Sequence, residues 1–417
     1  MLQRRDNSTS QARGGAASPW VLMAQRASLP HVDPTVVAAI IAGALTVIGT
    51  LAAQYFGGRA TQKTLKNQGE QLDKTLEEQR TRTLNERFAT AASQLGSDKP
   101  PTVQLAGAYA MAGLADDWQK NRQTCVDVLC GYLRMPYEPD PGEESPEKEQ
   151  VAFRASREVR HTVIRIITAH LKEGAAVSWQ GLDLDFTGAV FDGGDFIGAR
   201  FSGSTVSFND AEFSGGEVRF YGAEFSGSTV GFYGARFSGG TVYFGARFSG
   251  GRVHFDRARF SGSTVSFGDA LFSGGEVYFN SAEFSGSRVY FGGTRFSSGT
   301  VYFGARFSRS SVSFFRARFS GGTVSFGGAE FSGGTIGFVF AEFSGGTVGF
   351  GELSRDEISL GDDLFSGLTP GLGDAEFSGG EVDFSTPGDW SFPPAFPWTG
   401  TPPPGVNLPE IGDQSQA

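Results

Sequence analysis

From Leu184 to about Phe350 the chain repeats nearly the same twelve residues, and that repetition limits what it can become. One unit runs Phe213, Ser214, Gly215, Gly216, Glu217, Val218, Arg219, Phe220, Tyr221, Gly222, Ala223, Glu224, and Phe225 opens the next. The step between opening phenylalanines is twelve residues except at Phe248 and Phe307, where it is eleven. A fixed short period of this kind is the signature of a solenoid, in which each unit buries its apolar face against its neighbours. Within the period lie two five-residue words, small/aliphatic-x-Phe-x-Gly, followed by a two-residue insert such as Ser228-Thr229. Upstream the words run without inserts, through Leu184-Asp-Phe186, Ala189-Val-Phe191, Gly194-Asp-Phe196 and Ala199-Arg-Phe201.

These words resemble those of bacterial pentapeptide-repeat proteins, with Ala at one position and Leu or Phe two later, over roughly Leu182 to Phe384. The resemblance implies a right-handed quadrilateral β-helix with four five-residue faces per coil. Elementary geometry agrees: a period of five suits neither a helix nor a flat strand, but suits one short side and one corner of a square coil. Phe and Ala or Val then point inward and the residue between them outward. Two units make a coil of about 24 residues, and coils stack at about 4.8 Å, so about eight coils span on the order of 40 Å. The eleven-residue units lose a residue between Phe244 and Phe248 and between Phe303 and Phe307, and a tightened corner is expected at both. The 39 Phe read as a core ladder. The glycine pairs Gly215-Gly216, Gly239-Gly240 and Gly333-Gly334 read as corners, since no phosphate-binding Gly-rich loop opens a helix.

The remaining segments lead up to this array or trail from it. Residues 1–34 are polar and read as a disordered tail. Val36 to Phe56 is an uncharged run of 21 residues, long enough to cross a bilayer, so 35–57 reads as a transmembrane helix. Arg59, Lys63, Lys66 and Lys74 follow it, which places the C-terminal body in the cytoplasm by the positive-inside rule. Ala39 with Gly43, and Gly49 with Ala53, are small-residue pairs suited to weak self-association, and Leu65, Leu72 and Leu76 give the 58–98 stalk a broken heptad seam. Residues 99–135 form a helical region with expected stripes at Leu105, Tyr109, Ala112, Leu114 and at Val126, Leu129, Tyr132, Leu133. The stretch from Glu86-Arg-Phe88 and Gln94-Leu-Gly-Ser97 through Val103–Tyr109 and Val126–Leu129 resembles the helical region preceding the repeats in many membrane-anchored pentapeptide-repeat proteins. A Pro-rich linker (136–149) leads to a helix and cap (150–180), whose buried side carries Val159, Val163, Ile166, Ile167 and Leu171. Arg154, Arg157, Arg160 and Arg165 are expected on its solvated side, and Trp179 is expected to close the first coil. The repeats occupy 181–385, and 386–417 is a Pro-rich tail.

The fold class expected is therefore a multi-part α+β chain: a transmembrane helix and a small helical region, then the pentapeptide-repeat β-solenoid. The net charge of −10 argues against non-specific nucleic-acid binding. Cys125 and Cys130 sit five apart on a helix and read as two buried thiols. His31, His161, His170 and His254 form no recognisable catalytic spacing. No catalytic, cofactor-binding or metal-ligating residue is assigned, no cofactor is expected, and no enzyme activity. The function expected is a membrane-anchored interaction scaffold with an unknown protein partner. Some pentapeptide-repeat proteins bind DNA gyrase as acidic DNA mimics, and the 23 Asp and Glu against 14 Arg in 181–385 keep that alternative open. An ice-binding array is disfavoured, because charges break the column Thr205, Thr229, Arg252, Glu276, Thr300.

Overall fold

The computed structural model describes residues 33–96, 98–138, 140–203, 205–332, 335–350, 354–356, 376–383, 385 and 400–408. The expected tail at 1–34, apart from its last two residues, and most of 386–417 lie outside the described residues. The chain divides into two compact units, 1–80 and 81–417.

The described part of the first unit is helical throughout, within α1 (Pro34–Gln94), whose last turns belong to the second unit; α1 begins with an apolar stretch, Pro34–Tyr55, of mean hydropathy 2.3, long and apolar enough to cross a membrane. Two threonines in it are self-satisfied: Thr46 Oγ1 donates to the Ala42 carbonyl at 2.5 Å and Thr50 Oγ1 to the Thr46 carbonyl at 3.0 Å. That removes the polar groups that an apolar medium would penalise.

After the end of α1 the second unit continues with helices α2 (Pro101–Asp117), α3 (Arg122–Arg134) and α4 (Glu147–Leu171). Pro101 begins α2 where a missing N–H costs nothing. The α3 stripe, Val126, Leu129, Tyr132 and Leu133, is buried as expected, and so is the α4 stripe from Val159 to Leu171. The α2 stripe holds at Ala112 and Leu114, which are buried, and at Leu105, which is partly buried, but Tyr109 is 59% exposed, while Gly107, Ala108 and Met111 face inward. Gly107 sets this face, since a Cβ there would lie 2.8 Å from the Gln94 Cβ and 2.9 Å from the Leu95 nitrogen. Close backbone approach outweighs apolar count.

Beyond the helices every strand pair among the described residues is parallel and forms a coil-to-coil step, apart from one isolated antiparallel bridge between Lys172 and Ala199. The register carries Leu184 onto Val206, Val206 onto Val230, Val230 onto Val253 and so on to Val348, with Val382 and Val406 extending the line. Partners such as Arg252 and Glu276 stand 24 residues apart, the coil length expected from two units. Four faces result. Two of them share the 12-stranded sheet, and the other two are the 8- and 7-stranded sheets. Inside, phenylalanine rings stack face over face, as Phe232, Phe255 and Phe279 do at 4.6 and 4.7 Å, and meet rings from adjacent faces edge-on, as Phe244 meets Phe255 at 5.4 Å.

The shortened units tighten their corners as expected. In ordinary corners the Ala N–H donates to the Phe three residues back, as Ala223 does to Phe220 at 3.0 Å. At the shortened ones the Ala N–H reaches the Phe two back: Ala246 to Phe244 at 2.6 Å and Ala305 to Phe303 at 2.7 Å. A four-residue turn has become a three-residue turn. Farther on, the sequence period fails near Leu353, yet Ser354–Asp356 still pairs with Glu330–Ser332, with Arg355 in the Phe331 register. Backbone pairing outlasts the side-chain pattern there.

Several ordinary corners hold a non-glycine residue at positive φ, among them Ser281 at 55°. Ser281→Gly is expected to stabilise the chain by about 0.5–1 kcal/mol, since glycine alone adopts that conformation without strain. Thermal unfolding should show a small rise in Tm; a fall would mean that the Ser281 side chain makes a compensating contact.

Candidate interaction surfaces of the solenoid and its cap

With valine and phenylalanine turned inward, the outward positions form columns, one residue per coil. On one face the column reads Glu212, Arg236, Arg259, Glu283, Arg306, Glu330, as the 24-residue coil requires. From Arg259 onward its charges neutralise one another, with Arg259–Glu283 at 3.4 Å, Glu283–Arg306 at 3.6 Å and Arg306–Glu330 at 2.9 Å, while Arg236 stands beside Arg259 in register. A second column, Glu224, Arg247, Leu271, Arg295, Arg318, Glu342, contains the pairs Arg200–Glu224 at 3.5 Å and Arg318–Glu342 at 3.2 Å, and places Arg295 beside Arg318. Exposed pairs of this type contribute about 0–1 kcal/mol each, so their main effect is on the surface potential.

The face between the second column and the first carries something else. Outward positions in three successive coils hold His254, Tyr278 and Tyr302, stacked at 4.8 and 5.0 Å with their planes within 10°. His254 Nδ1 lies 2.9 Å from Asp256, and Arg252 pairs with Glu276 at 3.0 Å alongside. The Glu276 carboxylate beside the Tyr278 phenol, together with partial burial, pushes that phenol up to about 12. It therefore remains a hydrogen-bond donor at any physiological pH. Serine and glycine occupy the same column in flanking coils (Ser207, Gly231, Ser325), so the aromatic strip is confined to the middle of the solenoid.

The first coil has an open edge, and side chains of α3 and α4 close it. Gln123 of α3 donates to the Asp183 carbonyl at 2.8 Å and accepts from the Asp183 N–H at 3.0 Å, as a neighbouring strand would. Along α4, Arg160 donates to the Val190 carbonyl at 2.8 Å, Arg157 to the Asp192 carbonyl at 2.9 Å and Thr168 to the Asp195 carbonyl at 2.8 Å. Unpaired edge groups would otherwise recruit another strand. Trp179 is fully buried, stacks on His170 at 3.9 Å and donates to Asp116 of α2 at 2.9 Å. It ties the helices to one another, while α3 and α4 do the covering.

The arginine face of α4 thus differs from expectation. Arg165 is solvated and pairs with Glu158, and Arg154 is exposed, but Arg160 is only 4% exposed and Arg157 is half-buried against the coil. The helix lies between other helices and the solenoid, so two of its sides are covered. Asp192 gathers this junction: it accepts from Tyr137 at 2.7 Å, forms an ion pair with Arg157 at 3.0 Å, and lies 3.1 Å from His161 Nε2. Sequence reading passed over Asp192, although a signal existed: later corners hold serine after the phenylalanine, at Ser214, Ser238 and Ser261. Burial would raise the Asp192 carboxyl, but the bonds from His161 and Tyr137 and the Arg157 charge more than offset this and hold it below the ordinary value. A depressed folded-state pKa contributes stability above the unfolded value of about 3.9, and that stability is lost as pH falls through the folded value. Asp192→Asn should therefore lower Tm at pH 7 and flatten its fall between about pH 5 and pH 2. An unchanged acid limb would remove Asp192 as its source.

Cys125 and Cys130 are both free and buried in α3, as expected, with burial pushing their thiols up to about 11 and about 12. They are inert as nucleophiles in this state.

Residues 186–235 match the family model for pentapeptide repeats, in nine copies. The chain carries pentapeptide repeats. No curated protein matches it. The pentapeptide-repeat geometry continues well past the matched residues, since the ladder from Val206 runs unbroken in register to Val348.

Proposed function

We propose that this chain is a non-enzymatic, membrane-anchored scaffold that holds a protein partner against its pentapeptide-repeat solenoid, with the body on the cytoplasmic side. One observation carries the reading: a rigid stack presents a stacked strip, His254, Tyr278 and Tyr302, on a face bordered by charge columns that largely pair within themselves. Aromatic side chains supply contact area at low entropic cost, and self-paired charges add little competing attraction. The apolar stretch of α1 supports the anchor, and Arg59, Lys63, Lys66 and Lys74 after it support the orientation. A photo-crosslinker placed at Tyr302 in cells should capture a reproducible protein, and Tyr278→Ser with Tyr302→Ser should release it without lowering Tm. Protease protection on the same membranes tests the topology, and digestion of the body from outside would overturn it.

The alternative, DNA mimicry toward a type II topoisomerase, rests on the acidic excess of the repeats. It requires columns of unopposed carboxylates, and the arginines interleaved at Arg236, Arg259 and Arg306 work against that. A supercoiling assay with purified gyrase is expected to show no inhibition. Stoichiometric inhibition would replace the scaffold reading.

A further inference from the structure

Arg160 stands out as a buried cation whose own carboxylate is missing. It is 4% exposed, its Nη2 donates to the carbonyls of Leu133 at 2.7 Å and Val190 at 2.8 Å, and its guanidinium lies over the Tyr137 ring at 4.3 Å. Nε and Nη1 have no hydrogen-bond partner among the described residues, and no ion pair reaches the group. The carboxylate whose charge acts on it, Asp192, is already committed to Arg157, His161 and Tyr137. Withdrawing a cation from water without an opposing charge of its own is costly, and burial accordingly pulls the Arg160 pKa down.

Arg160 also lines a half-open cleft of about 450 Å³, with Gln104 of α2, Tyr132 of α3, Met135 and Tyr137 beyond it, and Ser156 of α4 around it. That volume falls within the range of small-ligand sites, and the lining sets apolar surface from Met135, Pro136 and the tyrosine rings beside the polar groups of Gln104, Ser156 and Arg160. Gln104 and Tyr132 are held in place: the Gln104 amide donates to the Gly96 carbonyl at 3.0 Å, and the Tyr132 hydroxyl donates to Gln104 at 3.2 Å. We infer that this cleft binds a small organic carboxylate, its anionic end on Arg160 and its apolar body against Met135 and Tyr137. One cation calls for one negative charge. A phosphate dianion would leave charge uncompensated in a partly dry site. A charge-assisted hydrogen bond from Arg160 to a carboxylate supplies both orientation and discrimination against neutral isosteres. The inference is independent of the scaffold reading.

The test uses the full chain in detergent micelles, titrated calorimetrically with benzoate, benzamide and inorganic phosphate. Benzoate should bind saturably at about 1 mM or tighter, with benzamide and phosphate each at least about tenfold weaker. Ser156→Phe fills the cleft without touching the Arg160 bonds and should abolish benzoate binding while leaving Tm within a few degrees. If Ser156→Phe does not fold, Met135→Trp, which closes the cleft from a position 40% exposed, takes its place. Arg160→Met should erase the preference for benzoate over benzamide. Equal binding of the two, or benzoate binding that survives the cleft-filling variants, would overturn the proposal. Phosphate binding tighter than benzoate would overturn the carboxylate class.

Discussion

Phe255→Ala is expected to destabilise the solenoid by about 3–5 kcal/mol, the cost of truncating a fully buried aromatic in a core that cannot collapse around the loss. Phe255 is 0% exposed, stacks on Phe232 and Phe279 at 4.6 and 4.7 Å, and meets Phe244 and Phe267 at 5.4 and 5.9 Å. The coils above and below are held at the spacing of their backbone hydrogen bonds, so they cannot close on the cavity. The loss is also local, because each coil touches only its neighbours. Denaturant unfolding followed by far-UV circular dichroism should therefore show more than a lower midpoint. The transition should broaden or split as coils on the two sides of the cavity uncouple, with a reduced apparent m-value. A single transition of unchanged slope would show that the solenoid's cooperativity is not carried by the ring ladder.

Gly251→Ala should have an effect of similar size by a different route. Gly251 sits at φ 74°, and a Cβ there would lie 2.0 Å from the Ser228 carbonyl oxygen and 2.7 Å from its nitrogen. That oxygen accepts the Arg252 N–H at 3.0 Å, so the clash falls on a bond that joins two coils. Left-handed strain and a steric intrusion of this type together cost about 2–5 kcal/mol. The matched control is Gly262→Ala. Gly262 has a similar φ of 68°, but its Cβ would meet nothing nearer than the Ser238 oxygen at 4.0 Å. Strain alone predicts about 1–2 kcal/mol there. Comparable losses at the two sites would mean that backbone conformation, and not coil stacking, dictates glycine at these corners.

What could be read from the sequence divides along physical lines. The period of five with a phenylalanine in every word admits only one side-chain orientation per face, so the coil length, the column partners Glu212 and Arg236, and even the tightened corners at Phe244 and Phe303 were all legible. Repetition supplies the tertiary contact, because each unit's neighbour is another copy of itself. The helical cap lacks that redundancy. Whether Arg160 meets water or the Val190 carbonyl depends on which side of α4 the solenoid lies, and apolar spacing on one helix does not contain that information. Tyr109 and Gly107 make the same point for α2: the tight crossing at Gln94 set the buried side, against the greater hydrophobicity of the tyrosine. The aromatic strip was hidden differently. His254, Tyr278 and Tyr302 are not close in sequence, and become neighbours only once the coil length is applied.

The side-chain clasp on the first coil gives the solenoid a direction of assembly. A parallel stack has no hairpin to nucleate it, and its first coil must be ordered with nothing beneath it. Here Gln123, Arg157, Arg160 and Thr168, all synthesised before the repeats, offer a ready set of donors that the first coil can lay its carbonyls upon. Every later coil finds its template already made. If this clasp templates the first coil, chains shortened from the far end should stay folded up to the last complete coil, whereas removing the helices should unfold the repeats.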